Sequence, residues 1–498
     1  MNMGFSISNL TIIAMTLCIG FCTNDTDEPH REEYNWNELA DELEDDGYLH
    51  CNSGYENFIL KIPDFKRGIY VFDSENYKAE AFKQHLSDIF VPHSDIYSPQ
   101  NINTVEEFLN APLPTCSPVK HFTPNEVKYT IDKYPPPNKS PGFDLITADV
   151  ARCLPIKAIV HLTHIFNAVL RFSYFPLIWK FSIIILVPKP NKPPDSTSSF
   201  RPISLLPFFA KILKRLLSKR ILPSITSNSI LPDSQFSFHN AHSTIHQAHR
   251  LVDSISFALE KKLYCTCAFL DISQAFDRVW HDALLYKLKK FLHPVYFLII
   301  KSYLSDRHFS TRIGDTLSSI AKISAGVLQG GILSPLLYNI YASDHPITPH
   351  TQVADYTNDK VIISTSPDPI TASTHLQNHL SLMEDWYTKW RLKINQTKSV
   401  HTTFTLRLPS CPAVSVFGSQ IPNSQTVKYL GLILDRRLTW AHHIKSKRLN
   451  LNARFRLLKT FINNNIHTNL NTKLLIYKSL VKPVWTYGIQ LWSNAKKI

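Results

Sequence analysis

Acidic residues are missing from one end of this 498-residue chain, and paired cysteine motifs are missing from all of it. Between Arg436 and Ile498 there are thirteen Lys/Arg and no Asp or Glu. A stretch so one-sided suits a polyanion, nucleic acid first and a membrane surface second, against the plainer reading of a solvated basic face. The eight cysteines, at 18, 22, 51, 116, 153, 265, 267 and 411, form no CxxC pair followed by a second. That argues against the usual zinc frameworks and fits a reducing compartment. Asn9–Thr23 is apolar but short for a membrane span. It resembles the apolar part of a signal peptide, yet no basic residue precedes it, so it reads as an N-terminal piece without targeting value. The expected location is nuclear or cytoplasmic, away from membranes.

What is present begins with length, which predicts two to four domains with ample core. Residues 24–50 carry eleven Asp/Glu against the single Arg31, and residues 1–60 are expected to be acidic and loosely ordered. Residues 61–118 read as an N-terminal extension and linker. Helices are predicted at 77–90, 124–134, 157–172, 205–222, 244–261, 275–291, 334–341 and 373–391. In the fourth of these, Lys211, Lys214, Arg215, Lys219 and Arg220 are expected on the polar side. Strands are expected at Trp179–Pro188, at Cys265–Leu270 and, as one piece, at Val427–Asp435. A hairpin at Gln352–Val361 is expected to carry Asp355 and Tyr356 at its tip. The basic end reads helical over 442–461 and 472–481. This mixture predicts an α+β fold.

One stretch organises the rest. In Tyr264–His281 an apolar run delivers Asp271 to a strand end. A carboxylate there is paired, hydrogen-bonded or metal-bound, unless it merely caps a following helix. Asp271 and Asp355 close two separate strands, with the glycine-rich stretch Gly326–Gly331 between them in sequence. Two such acids suit a two-metal nucleotidyl-transfer site, since phosphoryl transfer needs cations held by carboxylates more than covalent help. Lys189 and Arg201 would suit a triphosphate.

Seven ordered blocks carry a family resemblance: KSPGFD, SFRPISLLP, FLDISQAFDRVWHDALLYKL, GVLQGGILSPLLYNIY, VADYTND, WRLKINQTK and VKYLGLILDRRLTW. Over residues 120–498 the chain resembles a reverse transcriptase of a non-LTR retrotransposon, of the jockey-like group. The resemblance implies a right-hand polymerase fold: fingers and the start of the palm at 119–260, a palm with an antiparallel sheet at 261–435, and a basic helical thumb at 436–498. It implies an RNA template, a DNA primer and dNTPs, with Mg²⁺, or Mn²⁺ in its place. Carried over, Asp271, the Ile272 carbonyl and Asp355 match the metal ligands, and Phe276 the residue beneath the incoming sugar that excludes a 2′-hydroxyl. Gln329 and Gly330 match the loop at template and nucleotide, Lys398 a lysine near the leaving phosphate, and Leu430 and Gly431 the turn that grips the primer.

The departures from the family pattern set the remaining expectations. Where the family has Ala-Asp-Asp, this chain has Ala354-Asp355-Tyr356, and a neutral phenol is a poor Mg²⁺ ligand beside a carboxylate. Asp359 and Asp277 are not expected to have the register to substitute. Phe143, Leu145, Ser237, His239, Leu328 and Gly331 also depart from the family's usual residues. Together with the lack of an endonuclease block ahead of the polymerase, these predict a truncated, partly degenerate copy. Its polymerase would be impaired; the alternative is a non-catalytic relic that still binds nucleic acid.

Overall fold

The computed structural model describes residues 65–495, apart from 68–69, 73, 135–139, 191, 194, 239–240 and 463–468. The acidic segment 1–60, the signal-like stretch 9–23, the substituted position His239 and most of the Pro135–Pro141 helix stop lie outside the described residues. Among those described, no helix is long and apolar enough to cross a membrane.

Strands β1 (Phe65–Arg67) and β2 (Tyr70–Phe72) form a small ladder of their own. The first larger sheet joins β3 (Phe181–Pro188) to β4 (Phe200–Leu205) on one side and, in parallel, to β6 (Arg307–Ile313) on the other. Strands β7 (Thr316–Leu317) and β8 (Ala321–Ile323) pair with β6, so residues 307–323 build onto the 181–205 strands. Helix α1 (Glu75–Ile89) covers this sheet, with Phe82 edge-on to Phe200 and, just beyond its end, Phe90 edge-on to Phe309.

Helices α2 (Pro99–Asn110), α3 (Pro124–Asp132), α4 (Ala148–Arg152), α5 (Ile156–Phe172) and α6 (Phe208–Ser227) lie before the second sheet in sequence. The start of α3 follows from Thr123-Pro124-Asn125-Glu126: Thr123 and Glu126 form a reciprocal capping box and Pro124 occupies the first turn. Helix α6 differs from expectation at one residue. Lys214 is fully buried, not on the polar side, and its ammonium sits 5.4 Å from the Tyr303 ring centroid.

The second sheet is antiparallel throughout, in the order β11-β5-β10-β9. Its members are β5 (Tyr264–Asp271), β9 (Thr351–Tyr356), β10 (Asp359–Ser366) and β11 (Val400–Phe404). Side chains alternate between its two faces, and each face has its own core. On one, Cys265, Cys267, Phe269, Val361 and Ile363 pack with Leu251 and Ile255 of α7 (Thr244–Glu260). On the other, Ala268, Leu270 and Ile362 pack with Leu376 and Leu380 of α11 (Pro369–Lys389). Between these elements run α8 (His281–Lys289), α9 (Pro294–Leu304) and α10 (Ser334–Tyr341).

The helix expected from Ala275 begins only at His281. Residues 273–278 form turns instead, and neighbouring loop groups claim carbonyls there and just beyond: Val327 N–H donates to Phe276 O and Gly326 N–H to Val279 O, both at 2.8 Å. The expected single strand Val427–Asp435 is a hairpin, β12 (Thr426–Tyr429) and β13 (Leu432–Asp435), reversed at Leu430-Gly431. Both turn residues have positive φ, 42° and 82°, which glycine adopts freely and leucine only at a cost. The basic end is helical in α12 (Ala441–Ile462) and α13 (Leu470–Ile476).

Candidate active site at the end of the antiparallel sheet

Asp271 is the last residue of β5, and its side chain keeps 24% of its exposure while the run before it is buried. Directly opposite it on β10 is Asp359, and opposite Asp359 on β9 is Tyr356. Cross-strand partners share a face, so Asp271, Asp359 and Tyr356 form one row on the α7 side of the sheet. The next row, Leu270, Lys360 and Asp355, points to the α11 side.

The expected meeting of Asp271 with Asp355 is therefore corrected. The turn of the hairpin falls at Thr357-Asn358, with Thr357 at φ 60°, not at Asp355-Tyr356. With the turn there, Asp355 stays inside β9 opposite Lys360, and the alternation of side chains puts it on the other face from Asp271. There it is buried, with Lys360 Nζ 2.6 Å and His345 Nε2 3.0 Å from its carboxylate and Ser234 Oγ donating at 3.1 Å. Burial opposes its ionisation, but Lys360 and His345 outweigh that and hold the carboxyl well below the ordinary carboxylate range. The expectation that Asp359 lacked the register is corrected by the same pairing. Burial, and then the charge of Asp271, push Asp359 up to about 6.

Around Asp271 the backbone is tightly held. Its carbonyl accepts from Asn395 N–H at 2.8 Å, and its N–H donates to Ser399 Oγ at 3.3 Å. Ser273 N–H donates to Lys393 O, so this ladder uses the groups on either side of Ile272 and leaves the Ile272 carbonyl aside. The segment also brings Lys398, whose ammonium is 3.3 Å from Asp271 Oδ2 and is largely exposed. Phe276 lies flat on Tyr338 of α10, ring centroids 4.7 Å apart at 26°.

Gln329 is turned to structural use: its side-chain amide donates to both oxygens of Asp277 at 2.9 Å, and its backbone carbonyl accepts from Ser204 N–H of β4. Burial pushes the Asp277 carboxyl up to about 6, against the pull of Gln329, Lys189 and Arg278. Gly330 has φ 96°, the conformation that calls for glycine there. Lys189 donates to Ser198 O at 2.8 Å. Its pKa is lowered first by burial and then by Lys192, Lys398 and Arg201, which places these cations in one another's field. Arg201 is exposed on β4. The Leu430-Gly431 turn sits on the same face as Asp271, since Tyr429 packs edge-on to Phe269 at 5.7 Å.

Two residues beside Asp271 and the Leu430-Gly431 turn were not singled out from sequence. Asp359 was legible only through the turn: an Asn-containing pair, Thr357-Asn358, fits a two-residue loop that sets Asp359 against Tyr356. Tyr487 carried no signal, yet its hydroxyl donates to Leu430 O at 2.6 Å, and its ring lies 3.1 Å from where a Cβ on Gly431 would be. Among the described residues no three His, Cys, Asp or Glu side chains converge as a metal site, so the exposed row contributes two carboxylates.

Residues 187–434 match the family Reverse transcriptase (RNA-dependent DNA polymerase). The chain is 39% identical over 429 residues to the RNA-directed DNA polymerase from mobile element jockey of Drosophila melanogaster, covering 84% of this chain and 46% of that protein. It is 37% identical over 423 residues to the probable RNA-directed DNA polymerase from transposon X-element of the same organism, covering 84% and 46%. To the corresponding probable enzyme from transposon BS, also of D. melanogaster, it is 36% identical over 434 residues, covering 85% and 48%. The chain thus spans about half the length of the curated relatives it matches. Reverse transcriptases act on an RNA template with a DNA primer and generally use divalent metal ions. With its α+β right-hand polymerase fold and its match across the strands that carry Asp271 and Asp359, the chain belongs to the reverse transcriptases of jockey-like non-LTR retrotransposons.

Proposed function

We propose that this chain is an RNA-directed DNA polymerase that adds dNTPs to a DNA 3′-hydroxyl on an RNA template, at a reduced rate. The observation that carries this reading is the partly exposed Asp271 at the sheet end, within 3.3 Å of Lys398, a lysine whose charge also acts on Lys189 together with that of Arg201. An anionic triphosphate drawn to those cations would meet a carboxylate able to hold Mg²⁺, or Mn²⁺, by hard oxygen donors. Asp271 and the Ile272 carbonyl would hold the ions, which when bound supply charge neutralisation at the attacking and leaving oxygens.

The other residues position the reactants. Phe276, braced on Tyr338, would offer a flat apolar shelf beneath a deoxyribose and so disfavour a 2′-hydroxyl there. Gln329, tied to Asp277, fixes the loop so that Gly330 can let its backbone approach base and template. Leu430 and Gly431 hold the primer end, and α12 follows the duplex backbone through Lys and Arg. In this reading 119–260 serves as fingers, 261–435 as palm and 436–498 as thumb, with 307–323 shared into the fingers sheet. The chain works in nucleus or cytoplasm.

The reduced rate follows from Tyr356, a neutral phenol in the row where a third carboxylate would add to charge neutralisation. The same observation favours a second reading, a non-catalytic relic that still binds nucleic acid. Primer extension on an RNA template, with Mg²⁺ and with Mn²⁺, separates the two. Extension by the wild type, abolished by Asp271→Asn, supports the polymerase; duplex binding without any extension supports the relic.

A further inference from the structure

We infer that Asp359, and not Asp355, is the second carboxylate that holds the divalent cation in this chain. The inference rests on the polymerase reading of Asp271 and goes beyond it, because the family pattern points to Asp355.

The sheet register decides the matter first. Asp359 is the direct cross-strand partner of Asp271, and both lie on the face that also carries the Leu430-Gly431 hairpin. Asp355 belongs to the neighbouring row and the opposite face. A side chain cannot cross a hydrogen-bonded sheet without shifting the strand by a residue, and β9 is pinned. Asp355 N–H donates to Ser234 O, and its carbonyl accepts from Phe236 N–H and from the Gln247 amide.

Charge decides it second. The Asp355 carboxylate is already engaged by Lys360, His345 and Ser234, and removing it would leave the buried Lys360 ammonium without its counter-charge. Asp359 is the reverse case. Among the described residues its carboxylate makes no ion pair, and its nearest charged neighbour across the ladder is another carboxylate, one that Lys398 approaches from the far side. Two acids set face to face at strand ends, one of them without a cation of its own, form a donor set that suits a divalent ion. The acid lost at Tyr356 is thus replaced on the adjoining strand, three residues later.

The test is a Mn²⁺ titration of the full chain followed by electron paramagnetic resonance. It is run on wild type, Asp271→Asn, Asp359→Asn, Asp355→Asn and the double variant Asp355→Asn/Lys360→Met, with near-ultraviolet circular dichroism as the check on folding. The double variant removes both members of the buried pair, so that the comparison holds even where Asp355→Asn alone unfolds. Asp271→Asn and Asp359→Asn are each expected to weaken Mn²⁺ binding by about tenfold or more, and the double variant to stay within about threefold of wild type. Tight binding by folded Asp359→Asn, or its loss in the folded double variant, overturns the inference. Mn²⁺ binding that depends on Asp359 without any primer extension would leave the inference standing and remove the polymerase reading. Extension that survives Asp359→Asn would do the opposite.

Discussion

Lys360 Nζ stands 2.6 Å from the Asp355 carboxylate, and each side chain is only 4% exposed. The pair lies under α11, with the Lys360 ammonium 5.9 Å from the Trp386 ring centroid. Asp355 thereby serves as the counter-charge of a buried lysine. Asp355→Asn leaves Lys360 charged and buried, and should cost about 3–5 kcal/mol of stability. Asp355→Asn/Lys360→Met removes both charges and should recover most of that loss. Urea unfolding of the three proteins checks this; equal midpoints for wild type and Asp355→Asn would contradict it.

Lys214 gives a prediction of opposite sign. It is fully buried in α6, with Tyr303 beside it and the equally buried Arg307 acting on it as a like charge. Burial, then Arg307 and Lys211, push its pKa well below the ordinary 10.5. The unfolded chain therefore holds that proton more firmly than the folded one, so the fold gains stability as pH rises toward 10.5 and is penalised below it. Lys214→Met should raise the melting temperature at pH 7, and the difference from wild type should shrink as the buffer is made alkaline. A melting temperature lowered by the substitution would count against this account.

Tyr487 is predicted to be a positioning residue for the primer. Its hydroxyl donates to the Leu430 carbonyl and accepts from Thr244 Oγ1, while its ring backs Gly431. Tyr487→Phe loses both hydrogen bonds, about 1–2 kcal/mol, and should weaken primer–template binding by about five- to thirtyfold with little effect on folding. Gly431→Ala should do at least as much, because φ of 82° and the 3.1 Å approach both oppose a Cβ. Fluorescence anisotropy with a labelled primer–template measures each.

Tyr356→Asp adds a third carboxylate to the row of Asp271 and Asp359. Extension should rise by about tenfold or more in Mg²⁺, since charge neutralisation at the reacting oxygens is commonly the largest catalytic contribution. Single-turnover extension rates are the measure, and an unchanged rate would show that the phenol is not what limits the enzyme.

Much of the site was legible in the sequence, and the misses share a physical cause. Asp271 at the end of an apolar strand and the basic helical end stand where the residues placed them. The hairpin of Asp355 did not, because the chain reverses two residues later than expected, at Thr357-Asn358, and so keeps Asp355 inside the strand with Lys360 opposite it. Val427–Asp435 hid its reversal because Leu430 takes a left-handed conformation that leucine seldom signals. Lys214 shows that charge on a helix does not fix its exposed side, and Ala275–Val279 that a helical pattern yields when the glycine-rich loop takes the carbonyls.

The most direct measurement is single-turnover primer extension on an RNA template, comparing Asp359→Asn with Asp355→Asn/Lys360→Met in the same preparation. The account predicts that Asp359→Asn loses activity as Asp271→Asn does, by about a hundredfold or more, while the double variant extends within about tenfold of wild type. Activity kept by Asp359→Asn and lost by the folded double variant would contradict it and return the second metal-holding role to Asp355.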